Sequence, residues 1–132
     1  MRFVFTSPTL RESDVYDRFN NIVLKLGHNE KNEVVINSPI LEKYIRKNYP
    51  KYSFISSTTK CLTDIEQSQM EINSEKYLMT CIDYNLNKNK KFLLDLEKNN
   101  VNKNKVEFLI NAICPPGCPF RKEHYRLNGL FG

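Results

Sequence analysis

The chain has 132 residues, of which 40% are hydrophobic, 11% aromatic and 27% charged. That is one domain's worth of chain with a modest core, and it excludes wholesale disorder, collagen-like repeats and the roughly 250 residues of a complete (β/α)8 barrel. Twenty Lys and Arg face fifteen Asp and Glu, a formal charge of +5.

Five short apolar runs read as strands: Arg2 to Phe5, Glu33 to Asn37, Tyr52 to Ser56, Tyr77 to Asp83 and Val106 to Asn111. They are Val-, Ile-, Phe- and Leu-rich with little alternation, which suits parallel strands covered on both faces. Segments of helical period lie between them. In the first, Val15, Phe19, Ile22, Val23 and Leu26 fall on one stripe, with capping-box spacing at Thr9-Leu10-Arg11-Glu12 and Gly27 as a stop. In the second, Ser38 caps, Pro39 takes the first helical position, and Ile40, Leu41, Tyr44 and Ile45 form the stripe. Asp64 to Asn73 is a third helix. Asn87 to Lys98 is a fourth, with Phe92, Leu93 and Leu96 inward, and a last runs from about Phe120 to Leu127. Phe5-Thr6-Ser7-Pro8-Thr9-Leu10 echoes Ile36-Asn37-Ser38-Pro39-Ile40-Leu41, a faint internal repeat.

Alternating βα units imply a parallel sheet with right-handed crossovers. Two architectures fit: an open doubly wound five-stranded sheet, which the length slightly favours, or part of a TIM-type (β/α)8 barrel. In both, ligands bind beyond the C-terminal ends of the strands.

Those ends are polar. They carry Thr6-Ser7, Asn37-Ser38, Ser56-Ser57-Thr58-Thr59-Lys60, Asp83-Tyr84-Asn85, and Asn111 followed by Cys114. Helix capping accounts for some of these groups, Ser38 in particular, but less well for the run ending in Lys60. Ser57, Thr58, Thr59 and Lys60 can together hold a small anion, and no Gly-rich fingerprint points to a nucleotide. Lys60 and Asp83 are the candidate catalytic groups, as base or Schiff-base lysine and as carboxylate base, ligand or cap. Arg121 and Tyr125, four residues apart, share a helix face that can meet an anion at the rim.

Cys114-Pro115-Pro116-Gly117-Cys118 sets two thiols three residues apart in a stiff loop. With His124 and Cys61 it offers four ligands for zinc or an iron–sulfur cluster. Arg121 stands where a radical-enzyme pattern would require a third cysteine. Packed, reduced thiols, which make the chain a structural or binding module rather than a relative of enzymes, and catalytic or redox thiol chemistry are the competing readings.

Fourteen of the basic residues are Lys, and sixteen further residues are Asn, concentrated in runs such as Asn85 to Lys91 and Lys98 to Lys105. An A- and T-rich genome produces that bias, so nucleic acid is not the expected partner. No apolar run reaches the roughly 18 residues that span a bilayer, and Met1 to Phe5 is too short for a signal peptide, so the expected location is the cytoplasm. Four cysteines there are expected to be reduced or ligating.

Val34-Val35-Ile36-Asn37-Ser38-Pro39-Ile40-Leu41, Ser56-Ser57-Thr58-Thr59-Lys60, and Asn111 through Pro119 to Tyr125 together resemble a group of uncharacterised bacterial barrel-like proteins. That group is distantly reminiscent of the collagenase-like peptidase family, whose barrel members include cysteine-ligated iron–sulfur proteins. The resemblance implies the barrel rather than the open sheet, and a site at the rim. It conveys no established activity. Those proteins are about twice as long, in keeping with a full barrel. The resulting expectation is a single α/β domain over 1–132, the C-terminal half of a barrel, completed by a missing N-terminal half or by self-association.

Overall fold

The computed structural model describes residues 1–5, 10–98, 102–112 and 114–131. Thr6, Ser7 and Thr9, expected at the first strand exit and cap, lie outside the described residues.

Five parallel strands form one sheet in the order β1-β2-β3-β4-β5: β1 (Arg2–Phe5), β2 (Glu33–Ile36), β3 (Ser53–Ser56), β4 (Met79–Ile82) and β5 (Val106–Phe108). The helices are α1 (Arg18–Leu26), α2 (Pro39–Asn48), α3 (Ile65–Asn73), α4 (Lys90–Lys98) and α5 (Arg121–Phe131). Strictly sequential strand order is the order of a barrel wall. A doubly wound sheet reverses direction at a switch point, and none occurs among the described residues. The architecture is that of part of a TIM-type barrel.

The strand faces divide accordingly. Val34, Ile36 and Phe54 pack with Leu24, Leu41 and Ile45 from α1 and α2. Ile82 and Val106 pack with Ile72, Phe92 and Leu96 from α3 and α4. The alternate residues Arg2, Val4, Val35, Cys81 and Glu107 face the opposite, concave side, where α5 lies with them.

Curvature can be read from one ion pair. Arg2 Nη1 on β1 meets Glu107 Oε2 on β5 at 2.7 Å. Four strand spacings in a flat sheet come to about 19 Å, more than the two side chains can bridge. The register gives the stagger. Arg2 lies opposite Glu33, and Glu33 opposite Ser53. Ile55 opposite Met79 puts Ser53 beside Tyr77, and Thr80 opposite Val106 puts Tyr77 beside Lys103. Glu107 lies four residues beyond Lys103, after four strand steps. One residue per step is the stagger that a shear of about eight distributes over eight strands.

Local chemistry sets the helix starts. Asp17 accepts from the Asn20 N–H at 2.7 Å, and Asp64 from the Gln67 N–H at 2.9 Å. Ser38 accepts from the Leu41 N–H at 3.4 Å, with Pro39 first in α2.

The first helical stripe differs from expectation. A 3-10 turn over Glu12–Tyr16 buries Val15, and Asp17 then caps a new helix. The restart breaks the phase, so Leu24 is buried while Phe19 and Leu26 are 77% and 82% exposed. In α4, Phe92 and Leu96 are buried, while Leu93 is exposed. Gly27 serves close packing as well as helix termination. A Cβ there would lie 2.5 Å from the Phe3 ring and 2.6 Å from the Tyr52 hydroxyl.

Candidate functional site

The polar run after β3 is largely consumed by its own turn. Ser57 Oγ accepts from the Thr59 N–H at 3.2 Å, capping a 3-10 turn over Thr58–Lys60. The Ser57, Lys60 and Cys61 amides donate to the carbonyls of Ile36, Ser57 and Thr58. Asn37 Nδ2 donates to Thr59 Oγ1 at 2.9 Å, and Thr58 Oγ1 donates to the Ile82 carbonyl at 3.0 Å. These bonds stitch the exits of β2, β3 and β4 together. Ser38 and Ser56 are buried, the first as the α2 cap and the second donating to Glu71 Oε1 at 2.6 Å.

Lys60 turns away from the mouth. Its ammonium donates to Glu71 at 2.5 Å and to the Tyr77 hydroxyl at 2.9 Å, and Tyr77 donates in turn to Glu42 at 2.9 Å. Burial, then the hydrogen bond to Glu42, pushes the Tyr77 phenol well above its ordinary range. With Asn37, Lys60 lines an outer groove beside Glu42, Arg46 and Glu71.

Asp83 is buried at the β4 exit, where it accepts from the Asn85 N–H at 2.9 Å. Its carboxylate is gripped from α5 by both Nη1 and Nη2 of Arg121, which is itself 4% exposed. The guanidinium stacks on Tyr84, 4.4 Å from the ring centroid, and its Nε donates to Cys61 Sγ at 3.2 Å. Burial works against the Arg121 charge, but hydrogen bonds to Asp83 and Tyr84 outweigh it and favour the charged guanidinium. Burial pushes the Cys61 thiol up, with Arg121 opposing, and the thiol donates to the Thr59 carbonyl at 3.4 Å.

The Cys114–Cys118 loop is tied to the β4 exit. Tyr84 Oη donates to the Pro115 carbonyl at 3.3 Å, and Asn85 Oδ1 accepts from the Gly117 N–H at 2.8 Å. Cys118 N–H closes a turn on the Pro115 carbonyl at 3.2 Å, with Gly117 at φ +75°, where a side chain would be strained.

Above the concave face opens a cleft of about 870 Å³. Val4, Val35, Cys81 and Glu107 form its strand wall; Ser57, Thr58, Thr59 and Asn111 lie at the strand exits; and His124, Tyr125 and Leu127 come from α5. Burial pushes the Tyr125 phenol up. Of the expected site residues, this cleft gathers Ser57, Thr58, Thr59, Asn111, Tyr125, Cys114 and His124. Asn37 and Lys60 face the outer groove, while Cys61, Cys118 and Arg121 line a smaller pocket of about 210 Å³. The four expected metal ligands thus fall in two pairs, Cys114 with His124 and Cys61 with Cys118. Among the described residues, no group of three or more His, Cys, Asp or Glu side chains is placed to hold a metal ion.

The strand wall was missed by reading the strands as covered on both faces. The signal was present: Arg2, Glu33, Ser53 and Glu107 are polar residues inside or at the start of apolar strands. Among the described residues no helix is long and apolar enough to cross a membrane. Comparison with protein-family models, with curated proteins and with solved structures gives no match.

Proposed function

We propose that the protein is a barrel-type ligand-binding domain whose site is the 870 Å³ cleft above its concave face. One observation carries the reading: the cleft joins the apolar side chains of Val4, Val35, Leu109 and Leu127 to the Arg2–Glu107 pair and the polar groups of Asn111, His124 and Tyr125. Small-molecule sites have that make-up, and they span about 300–1,000 Å³. The ligand class that fits is a small neutral molecule with an apolar body and a few hydrogen-bonding groups. A small anion fits less well. Lys60 is turned to Glu71, Arg2 is held by Glu33 and Glu107, and Arg121 by Asp83.

Nile red, a neutral apolar fluorophore, is a direct probe. Its emission should shift to the blue with the wild-type protein, and Val35→Trp, which fills the cleft, should abolish the shift. Phe19→Asp, on the outer face of α1, should leave it intact. Loss of the shift in Phe19→Asp but not in Val35→Trp would place the dye on α1 and remove the cleft reading. A rise in melting temperature with inorganic phosphate would restore the anion.

A second property is favoured by the sheet edges and by α1. Among the described residues no further strand pairs with β1 or β5. Phe19, Ile22, Val23 and Leu26 leave an apolar face of α1 exposed, with Tyr16 exposed just before it. A strand edge is satisfied by a strand, and an apolar helix face by a helix, so further βα units are the natural cover. The eight-strand stagger leaves room for three.

A further inference from the structure

Cys61 and Cys118 stand fifty-seven positions apart in the sequence and line one pocket of about 210 Å³. Arg121 contacts the side chain of one and the backbone of the other. Arg121 Nε donates to Cys61 Sγ at 3.2 Å, and the Arg121 amide donates to the Cys118 carbonyl at 3.5 Å. Both sulfurs are free thiols. Their exposure differs: Cys61 is 4% exposed, whereas Cys118 is half-buried on the rim of the pocket. The Pro115–Cys118 turn and the Gly117–Asn85 hydrogen bond hold the loop that carries Cys118 against the β4 exit. Arg121 and Lys122 line the same pocket. Cys114 faces the large cleft instead.

We propose that Cys61 and Cys118 form a reversible dithiol–disulfide site that reacts with hydroperoxides. Cys118 is the accessible thiol. Its thiolate attacks the terminal oxygen of a hydroperoxide; the S–O bond forms, the O–O bond breaks, and the departing alkoxide or hydroxide takes up a proton. The oxidised Cys118 is then a sulfenic acid. Cys61 attacks the Cys118 sulfur, and its thiol proton passes to the departing oxygen. The S–S bond forms, the S–O bond breaks, and the oxygen leaves as water. Two thiols and one hydroperoxide thus give one disulfide, one alcohol or water, and one further water. A small external dithiol reverses the step by exchange. The bridge would tie the β3 exit to the loop leading into α5, fastening that helix beside the cleft.

The test uses the full chain, hydrogen peroxide, alkylation of the remaining thiols, and mass mapping of peptides without reduction. The Cys61–Cys118 peptide should be the main cross-linked product, with Cys81 and Cys114 alkylated and all four thiols restored by dithiothreitol. Cys61→Ser should leave a Cys118 sulfenic acid that dimedone traps, and Cys114→Ser should leave the cross-link intact. A dominant Cys114–Cys118 peptide would overturn the proposal. So would Cys118 oxidation with Cys61 still free, or four thiols that resist excess peroxide. The wild-type map decides even if a variant fails to fold.

Discussion

Arg2 and Glu107 sit on the two outermost strands of the sheet, yet their side chains meet at 2.7 Å. The pair records the curvature without supplying much stability. Its members are 40% and 35% exposed, and exposed pairs contribute only about 0–1 kcal/mol. Glu107→Ala, which removes this pair and leaves Arg2 on Glu33, should therefore lower the unfolding free energy in urea by no more than about 1 kcal/mol. A much larger loss would mean that the bridge holds the sheet in shape.

Arg121 and Asp83 should behave differently. Their side chains are 4% and 0% exposed, so removing either partner strands a charge out of water. Arg121→Met should cost about 3–5 kcal/mol, whereas the double replacement Arg121→Met with Asp83→Leu should cost clearly less than the sum of the two single changes. Denaturant unfolding of the three variants measures the coupling, and simple additivity would show that the pair is not the anchor of α5.

The parallel strands and the helix caps were legible because each rests on a local cause: a short apolar run, a Ser38-Pro39 start, an Asp64 cap. What escaped depended on longer-range geometry. The stripe from Val15 to Leu26 is one pattern in the sequence, but Asp17 restarts the helix and turns Phe19 and Leu26 outward. Lys60 belongs to a polar run that looks like one anion cradle, but the 3-10 turn after β3 sends its ammonium to Glu71. Arg121 was expected to share a face with Tyr125 at the rim. Its partner Asp83 lies thirty-eight positions away, and only the folded sheet brings the two together. The polar exits of β2 and β3 were visible, but the bonds that consume them were not.

Tyr77 gives the chain an alkaline limit. Burial and the bond to Glu42 raise its phenol above the ordinary value of 10.0, so the folded state holds that proton more tightly than the unfolded chain. The sign follows: this contribution is complete below about pH 10 and is lost as pH rises towards the folded-state value. Above pH 10, unfolding free energy should fall by up to about 1.4 kcal/mol per pH unit for this one proton. Tyr77→Phe should remove that share of the slope, at a cost of about 1–3 kcal/mol at neutral pH for the hydrogen bonds to Glu42 and Lys60. Chemical unfolding from pH 8 to pH 11 reads both effects, and an unchanged slope in the variant would locate the sensitivity in another group.

The exposed face of α1 should make the chain adhesive. Phe19 and Leu26 are 77% and 82% exposed on α1. Burying each contributes about 1.5–3 kcal/mol, so covering both is worth a factor on the order of 100 or more in an association constant. With no other βα unit supplied, copies of the chain should cover one another's faces. Sedimentation should show the average mass rising above 15.6 kDa with concentration. Phe19→Glu with Leu26→Glu should hold the protein at that mass. Its far-ultraviolet circular dichroism should not change, because neither side chain belongs to the core. A wild-type chain that stays monomeric at every concentration, or a variant that associates equally well, would mean that α1 is not a docking face.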